Sequence, residues 1–157
     1  MSNYFYAGQE GHLVNICPPI DLNDAAKTCD AFSMENYSHA SIIILLGTAG
    51  TASTVTVEEC TTAAGANNTA IGFSYHATTA TATDTLGART TVASTGLAMT
   101  AVGDAMVVIE LDASQLSAGY PWVQVQFTDP GGAQLGAAVA VLSGARYAND
   151  QSATAIA

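Results

Sequence analysis

Ala, Thr and Gly (30, 19 and 14 residues) fill 63 of the 157 positions of this chain, while Lys and Arg together supply three. With 13 carboxylates against those three bases the formal charge is -10, which repels phosphate backbones and anionic lipid surfaces and argues against nucleic-acid and membrane-surface partners. A hydrophobic share of 49% with only 10% charged residues excludes disorder and coiled coil, and the length is that of one domain able to bury its own core.

Residues 1–10 read as an N-terminal arm, with Asn3-Tyr4-Phe5-Tyr6-Ala7-Gly8 as its aromatic part. Met1 to Pro19 lacks a basic region followed by an apolar stretch, and Glu10 and His12 interrupt it, so no secretory signal is expected. The strongly apolar run Ile42 to Leu46 is far short of the about twenty residues of a spanning helix, so a soluble protein is expected.

His12 to Cys17 is the first expected strand, stopped by Pro18-Pro19, which cannot donate to a ladder. Asp21 to Lys27 follows as a loop or helical turn, and Ala31 to Met34 as a weak strand. The unbroken Ile-Ile-Ile-Leu-Leu of Ser41 to Leu46 predicts a central strand buried on both faces. After the turn residues Gly47 to Thr51, Thr54 to Glu58 alternates, with Val55 and Val57 toward the core and Thr54, Thr56 and Glu58 toward solvent. Thr61 to Thr69 is a polar loop, and Ala70 to His76 reads as one strand with Ile71, Phe73 and Tyr75 on a single face.

The low-complexity stretch Ala77 to Ala101 predicts two short strands, near Thr85 to Val92 and Leu97 to Thr100. Met106 to Leu111 is apolar on both faces, which places it inside a sandwich or under a partner subunit. Asp112 caps a brief helical turn over Ala113 to Ser117, with Gln115 at the reciprocal position and Gly119 past the end. Trp122 to Phe127 alternates, with Val123, Val125 and Phe127 inward. Asp129-Pro130-Gly131-Gly132 turns the chain into a last strand, Leu135 to Leu142. The sum is an all-β fold: an antiparallel β-sandwich or jelly roll over residues 11–144 with one short helical turn, flanked by an N-terminal arm (1–10) and a C-terminal arm (145–157).

Reactive groups do not converge in the sequence. His12, His39 and His76 fall on different elements without a ligand at metal spacing, and no GxSxG, HExxH, GxxxxGKS or GxGxxG string occurs. No catalytic residue, metal or cofactor is expected, and the protein is read as not an enzyme. Glu58 and Glu59 are adjacent on a strand and point to opposite faces, which prevents joint work on a substrate. Asp21-Leu22-Asn23-Asp24 spaces oxygens as a calcium loop does, but lacks the central Gly and distal Glu. Tyr120 and Trp122 would suit stacking on a sugar, which keeps a carbohydrate-binding sandwich or adhesin as an alternative. Cys17, Cys29 and Cys60 cannot all pair within one chain; reduced buried thiols are expected, with a Cys17–Cys29 bridge as the alternative.

The nearly uncharged segments 77–101 and 131–145 look too small in side chain to fill a monomer core, which points to packing between subunits. Tyr4, Phe5 and Tyr6 of the first arm, and Arg146 and Tyr147 of the last, are the candidate partner-binding residues.

The succession Ala40-Ser41-Ile42-Ile43-Ile44 with Gly47, Ser53-Thr54-Val55-Thr56-Val57-Glu58-Glu59-Cys60, Thr69-Ala70-Ile71-Gly72-Phe73-Ser74-Tyr75, Asp112-Ala113-Ser114-Gln115-Leu116 and Gly119-Tyr120-Pro121-Trp122 resembles small structural proteins encoded in tailed-bacteriophage and prophage head gene clusters. The likeness covers most of the chain and is greatest to capsid decoration, or cement, proteins. It implies binding to the major capsid protein on the outer surface of the virion head, often as a trimer, after synthesis in the host cytoplasm. Another virion role, in the tail or in head completion, stays open beside it.

Overall fold

The computed structural model describes residues 7–47, 53–80, 83–99 and 105–146. Twelve strands among them form two sheets. After a helical turn, α1 (Ala7–Glu10), come β1 (His12–Asp21), β2 (Lys27–Thr28), β3 (Phe32–Ser33), β4 (Tyr37–Leu46), β5 (Thr54–Cys60) and β6 (Thr69–Ile71). They are followed by β7 (Phe73–Ala77), β8 (Thr90–Val92), β9 (Leu97–Ala98), β10 (Met106–Asp112), a 3-10 turn (Ala113–Gln115), β11 (Trp122–Phe127) and β12 (Leu135–Ala145). The first sheet has the order β1-β12-β4-β10-β7-β8; the second runs β2-β11-β5-β6, with β3 on β11 and β9 on β5. Every pairing between strands is antiparallel, so the chain is the all-β sandwich that its alternation implies.

The core lies between the sheets. Val14 and Ile16 of β1, Ala138, Ala140 and Leu142 of β12, Ile42 and Ile44 of β4 and Val107, Ile109 and Leu111 of β10 supply one wall. Val55 and Val57 of β5 and Val123, Val125 and Phe127 of β11 supply the other, and Phe32, Met34, Leu97 and Met99 join them in the buried interior. The small residues of β12 are thus used within the fold: a Cβ on Gly136 would meet Leu22 Cδ1 at 2.7 Å, so glycine lets Leu22 close that end of the core. Leu97 and Met99 likewise anchor the stretch that looked too slight for a core.

Three local expectations change. Pro18-Pro19 does not stop β1, which continues to Asp21; β1 is an edge strand with register shifts between Asn15 and Cys17 and between Cys17 and Ile20, so the missing donors leave no gap in a ladder. The segment Ala70 to His76 is two strands, because the chain passes from one sheet to the other at Gly72, where a Cβ would lie 2.9 Å from the Val92 carbonyl oxygen. Ile71, Phe73 and Tyr75 still belong to the core or pack against it. Finally, β4 is central, as expected, but buried on one face only: Ile42 and Ile44 are fully buried, whereas Leu45 is 55% exposed.

Candidate functional site

The non-alternating strands all belong to one sheet. β4, β10 and β12 place apolar residues on both faces and lie side by side in the six-stranded sheet, while the alternating β5 and β11 lie together in the other. The consequence is two outer faces of opposite character. Outside β5 and β11 are Thr54, Thr56 and Glu58 beside Gln126, whose amide donates to Glu58 Oε2 at 2.8 Å, and Asn68 donates to the same oxygen; Gln124 on this side is buried, its amide donating to the Cys29 carbonyl at 3.2 Å.

The outer face of the six-stranded sheet is apolar over most of its breadth. The strand register aligns Leu13, Val141, Ser41 and Glu110 in one row, Asn15, Val139, Ile43, Val108 and His76 in the next, and Ala137, Leu45 and Met106 in a third. Leu13 is 51% exposed and Leu135, at the end of this face, 64% exposed. Beside the third row a hollow of about 310 Å³ is walled by Pro19, Leu45, Leu46, Gly47, Leu135, Gly136 and Ala137. Leu13, Leu45 and Leu135 are the large apolar side chains most exposed on this face, with Ile43, Val108, Val139 and Met106 half-buried between them.

The opposite end of the face is polar. Asp112 pairs with His39, and Glu110 with Ser41, across β10 and β4, because residues two apart on a strand share a face. His39 Nδ1 lies 2.8 Å from Asp112 Oδ1 and Nε2 lies 2.7 Å from Glu110 Oε2. Only the doubly protonated ring donates to both carboxylates. Partial burial lowers the His39 pKa, but the hydrogen bonds and charges of Asp112 and Glu110 outweigh it and hold the pKa above its ordinary 6.5. Ser41 stands 3.4 Å from Nε2, an echo of a serine–histidine–acid set, yet its hydroxyl donates to Glu110 Oε2 at 2.7 Å. The geometry therefore makes an ionic clasp between β4 and β10 and leaves the serine tied to a carboxylate. The alternation of His39 with Ser41 and of Glu110 with Asp112 was visible in the sequence; their register opposite one another was not.

The other residues singled out in the sequence are placed as follows. Tyr4, Phe5, Tyr6 and Tyr147 lie outside the described residues. Arg146 is exposed, its amide donating to the Asn36 carbonyl at 2.8 Å, and it borders a hollow of about 250 Å³ with Met34, Glu35, Ala113, Leu116, Ser117, Gly119, Tyr120 and Pro121. Trp122 is half-buried on β11 between Ser33 and Cys60 and is not part of that wall, so Tyr120 and Trp122 do not form one stacking platform there. His12 stacks on Tyr37 with ring centroids 5.8 Å apart, and His76 Nδ1 meets the Gly87 carbonyl at 2.9 Å.

Glu58 faces outward, whereas Glu59, on the opposite face as the alternation implies, is only 4% exposed and accepts the Ser117 amide at 2.7 Å. Asp21 closes a turn instead of a calcium loop, its Oδ1 accepting the Asn23 amide at 3.0 Å and the Gln134 amide at 3.3 Å. Among the described residues no group of three or more His, Cys, Asp or Glu side chains is disposed to hold a metal ion, and no helix is long and apolar enough to cross a membrane.

Fold and surface together define an antiparallel β-sandwich with one polar and one apolar outer face. No family model matches the chain, and no curated protein matches it. Among solved structures it is similar to the crystal structure of the SPBc2 prophage-derived protein YomS, at 13% identity over 83% of this chain and 92% of that one, with a TM-score of 0.47.

Proposed function

We propose that the chain is a structural protein of a tailed-phage virion, a capsid decoration protein that lays the outer face of its six-stranded sheet on the shell. One observation carries the reading: β4, β10 and β12 turn Ile43, Val108 and Val139, and Leu45, Met106 and Ala137, outward in two aligned rows, while Thr54, Thr56, Glu58 and Gln126 face outward on the second sheet. A sandwich with one apolar and one polar outer face suits a molecule held between a protein surface and water. The partner in this reading, the major capsid protein, and a trimeric state are what the resemblance of the sequence to head-cluster structural proteins implies.

Each copy needs only modest affinity, because many equivalent sites on one shell raise the effective concentration of every neighbour. Such a protein works by bridging and needs no reacting group. The test is stoichiometry: quantitative mass spectrometry of purified virions is expected to find it at a copy number near that of the major capsid protein. A few copies per particle would move the role to the tail or the portal end, and absence from virions would end the reading.

A further inference from the structure

Cys17 and Cys29 are both buried and lie on different sides of the sandwich, Cys17 in edge strand β1 and Cys29 in the link between β2 and β3. Two main-chain bonds fix that link. The Asp30 amide donates to the Ile16 carbonyl at 2.9 Å, and the Cys29 amide donates to the Val125 carbonyl at 2.8 Å. The first bond joins β1 to the link between β2 and β3 and is flanked directly by Cys17 and Cys29. The Cys17 thiol donates to the Pro18 carbonyl at 3.7 Å, and the nearness of the two sulfurs lowers the Cys17 pKa and raises that of Cys29. Cys60 has no such neighbour: burial, with Glu58 and Glu59 nearby, pushes its thiol up to about 11.

We propose that Cys17 and Cys29 are a built oxidation site that closes to a disulfide and staples the edge of the six-stranded sheet to the second sheet. The main-chain bond between Asp30 and Ile16, the residues next to Cys29 and Cys17, brings the two cysteines side by side, and both are free thiols in the structure. Access comes from the edge: Cys17 sits between two register shifts, next to exposed Pro18 and Pro19, where local opening is least costly.

The oxidant is a small-molecule disulfide such as oxidised glutathione. The Cys17 thiolate attacks one of its sulfurs and releases a glutathione thiolate, leaving a mixed disulfide. The Cys29 sulfur then attacks Cys17 Sγ, its proton passing to the second departing glutathione thiolate. The two protein thiols are oxidised by two electrons while one glutathione disulfide is reduced to two glutathiones. In a reducing cytosol the pair stays open, and in an oxidising medium it closes. This inference concerns the chain itself and stands apart from the virion reading.

The full-length protein and its Cys60→Ser variant are equilibrated with graded ratios of oxidised to reduced glutathione. Thiol titration in denaturant is expected to fall from three to one in the wild type, with an intact mass lower by about 2 Da. Lys27, one of only three basic residues, lies between the two cysteines. Trypsin therefore separates Cys17 from Cys29, and in oxidised Cys60→Ser the fragments 1–27 and 28–89 are expected to stay joined until reduced. Closing a loop this short is expected to raise the melting temperature by roughly 5–10 °C. Three titratable thiols in natively folded protein under the most oxidising ratio, or glutathione adducts and intermolecular dimers in place of the joined fragments, would overturn the proposal. The thiol count and intact mass are read on the wild type with all three cysteines in place, so a misfolded Cys60→Ser variant cannot obscure the result.

Discussion

Replacing Leu45 by Asp separates the folding role of the apolar face from its binding role. Leu45 lies in the third row beside Ala137 and Met106 and is 55% exposed, so rather less than half of its side chain is already out of water. Fully burying a leucine stabilises by about 1.5–3 kcal/mol, so the fold draws roughly 1 kcal/mol from it and a covering partner would draw about as much again. Aspartate forfeits both and also fits a strand less well, by up to about 1 kcal/mol. The isolated protein is therefore expected to lose roughly 1–2 kcal/mol, a fall in melting temperature of about 2–8 °C. Under a partner the unpaired carboxylate adds a desolvation cost of several kcal/mol, so shell affinity is expected to drop at least about 100-fold, the equivalent of roughly 2.7 kcal/mol. The assay is co-sedimentation with expanded shells that lack the protein, read as occupancy against concentration. Thr56→Asp, on the polar outer face of the other sheet, serves as the matched control and is expected to bind as the wild type does. Equal occupancy for Leu45→Asp and wild type would show that the apolar rows are not the docking surface.

Two further outcomes follow from particular residues. The raised His39 pKa means that its clasp stabilises fully below the unfolded value near 6.5 and is lost as pH rises through the folded value; on that linkage the urea midpoint falls from pH 6 to pH 8.5. His39→Gln is expected to flatten the profile in that window, and an unchanged slope would remove the clasp. At Gly96, φ is +89° and a Cβ would lie 2.5 Å from the Val55 carbonyl oxygen, so Gly96→Ala must strain the backbone and push β9 off β5. A loss of roughly 2–4 kcal/mol is expected in urea unfolding, and a loss under about 0.5 kcal/mol would refute the clash.

The face was half legible before the structure. Met106 to Leu111 is apolar on both sides, which already offered burial inside the sandwich or cover from a partner; its structure is buried on one side and half-exposed on the other. The Ile42 to Leu46 run suggested complete burial because a local pattern cannot tell a covered face from an uncovered one. Of the Ala-rich segment 131–145, Gly136, Ala138 and Ala140 pack inward, while Ala137, Val139 and Val141 of the same strand face out. His39 gave no sign of its partners, because Glu110 and Asp112 are about seventy residues away and meet it only through antiparallel register.

By itself the sequence determined the all-β class, the inward sets Val55–Val57 and Val123–Val125–Phe127, the turn at Asp129 to Gly132 and the 3-10 turn after Asp112, because period-two alternation and turn chemistry are local properties of the backbone; the turn α1 in the expected N-terminal arm gave no such signal. Tertiary structure decided what depends on neighbours distant in sequence. It made Pro18 and Pro19 acceptable by putting β1 at an edge, turned Gly72 into a corner between sheets, gathered the non-alternating strands into one sheet with an apolar outer face, and set Cys17 beside Cys29 across the two layers. Strand order is fixed by which faces bury together, and no window of adjacent residues contains that information.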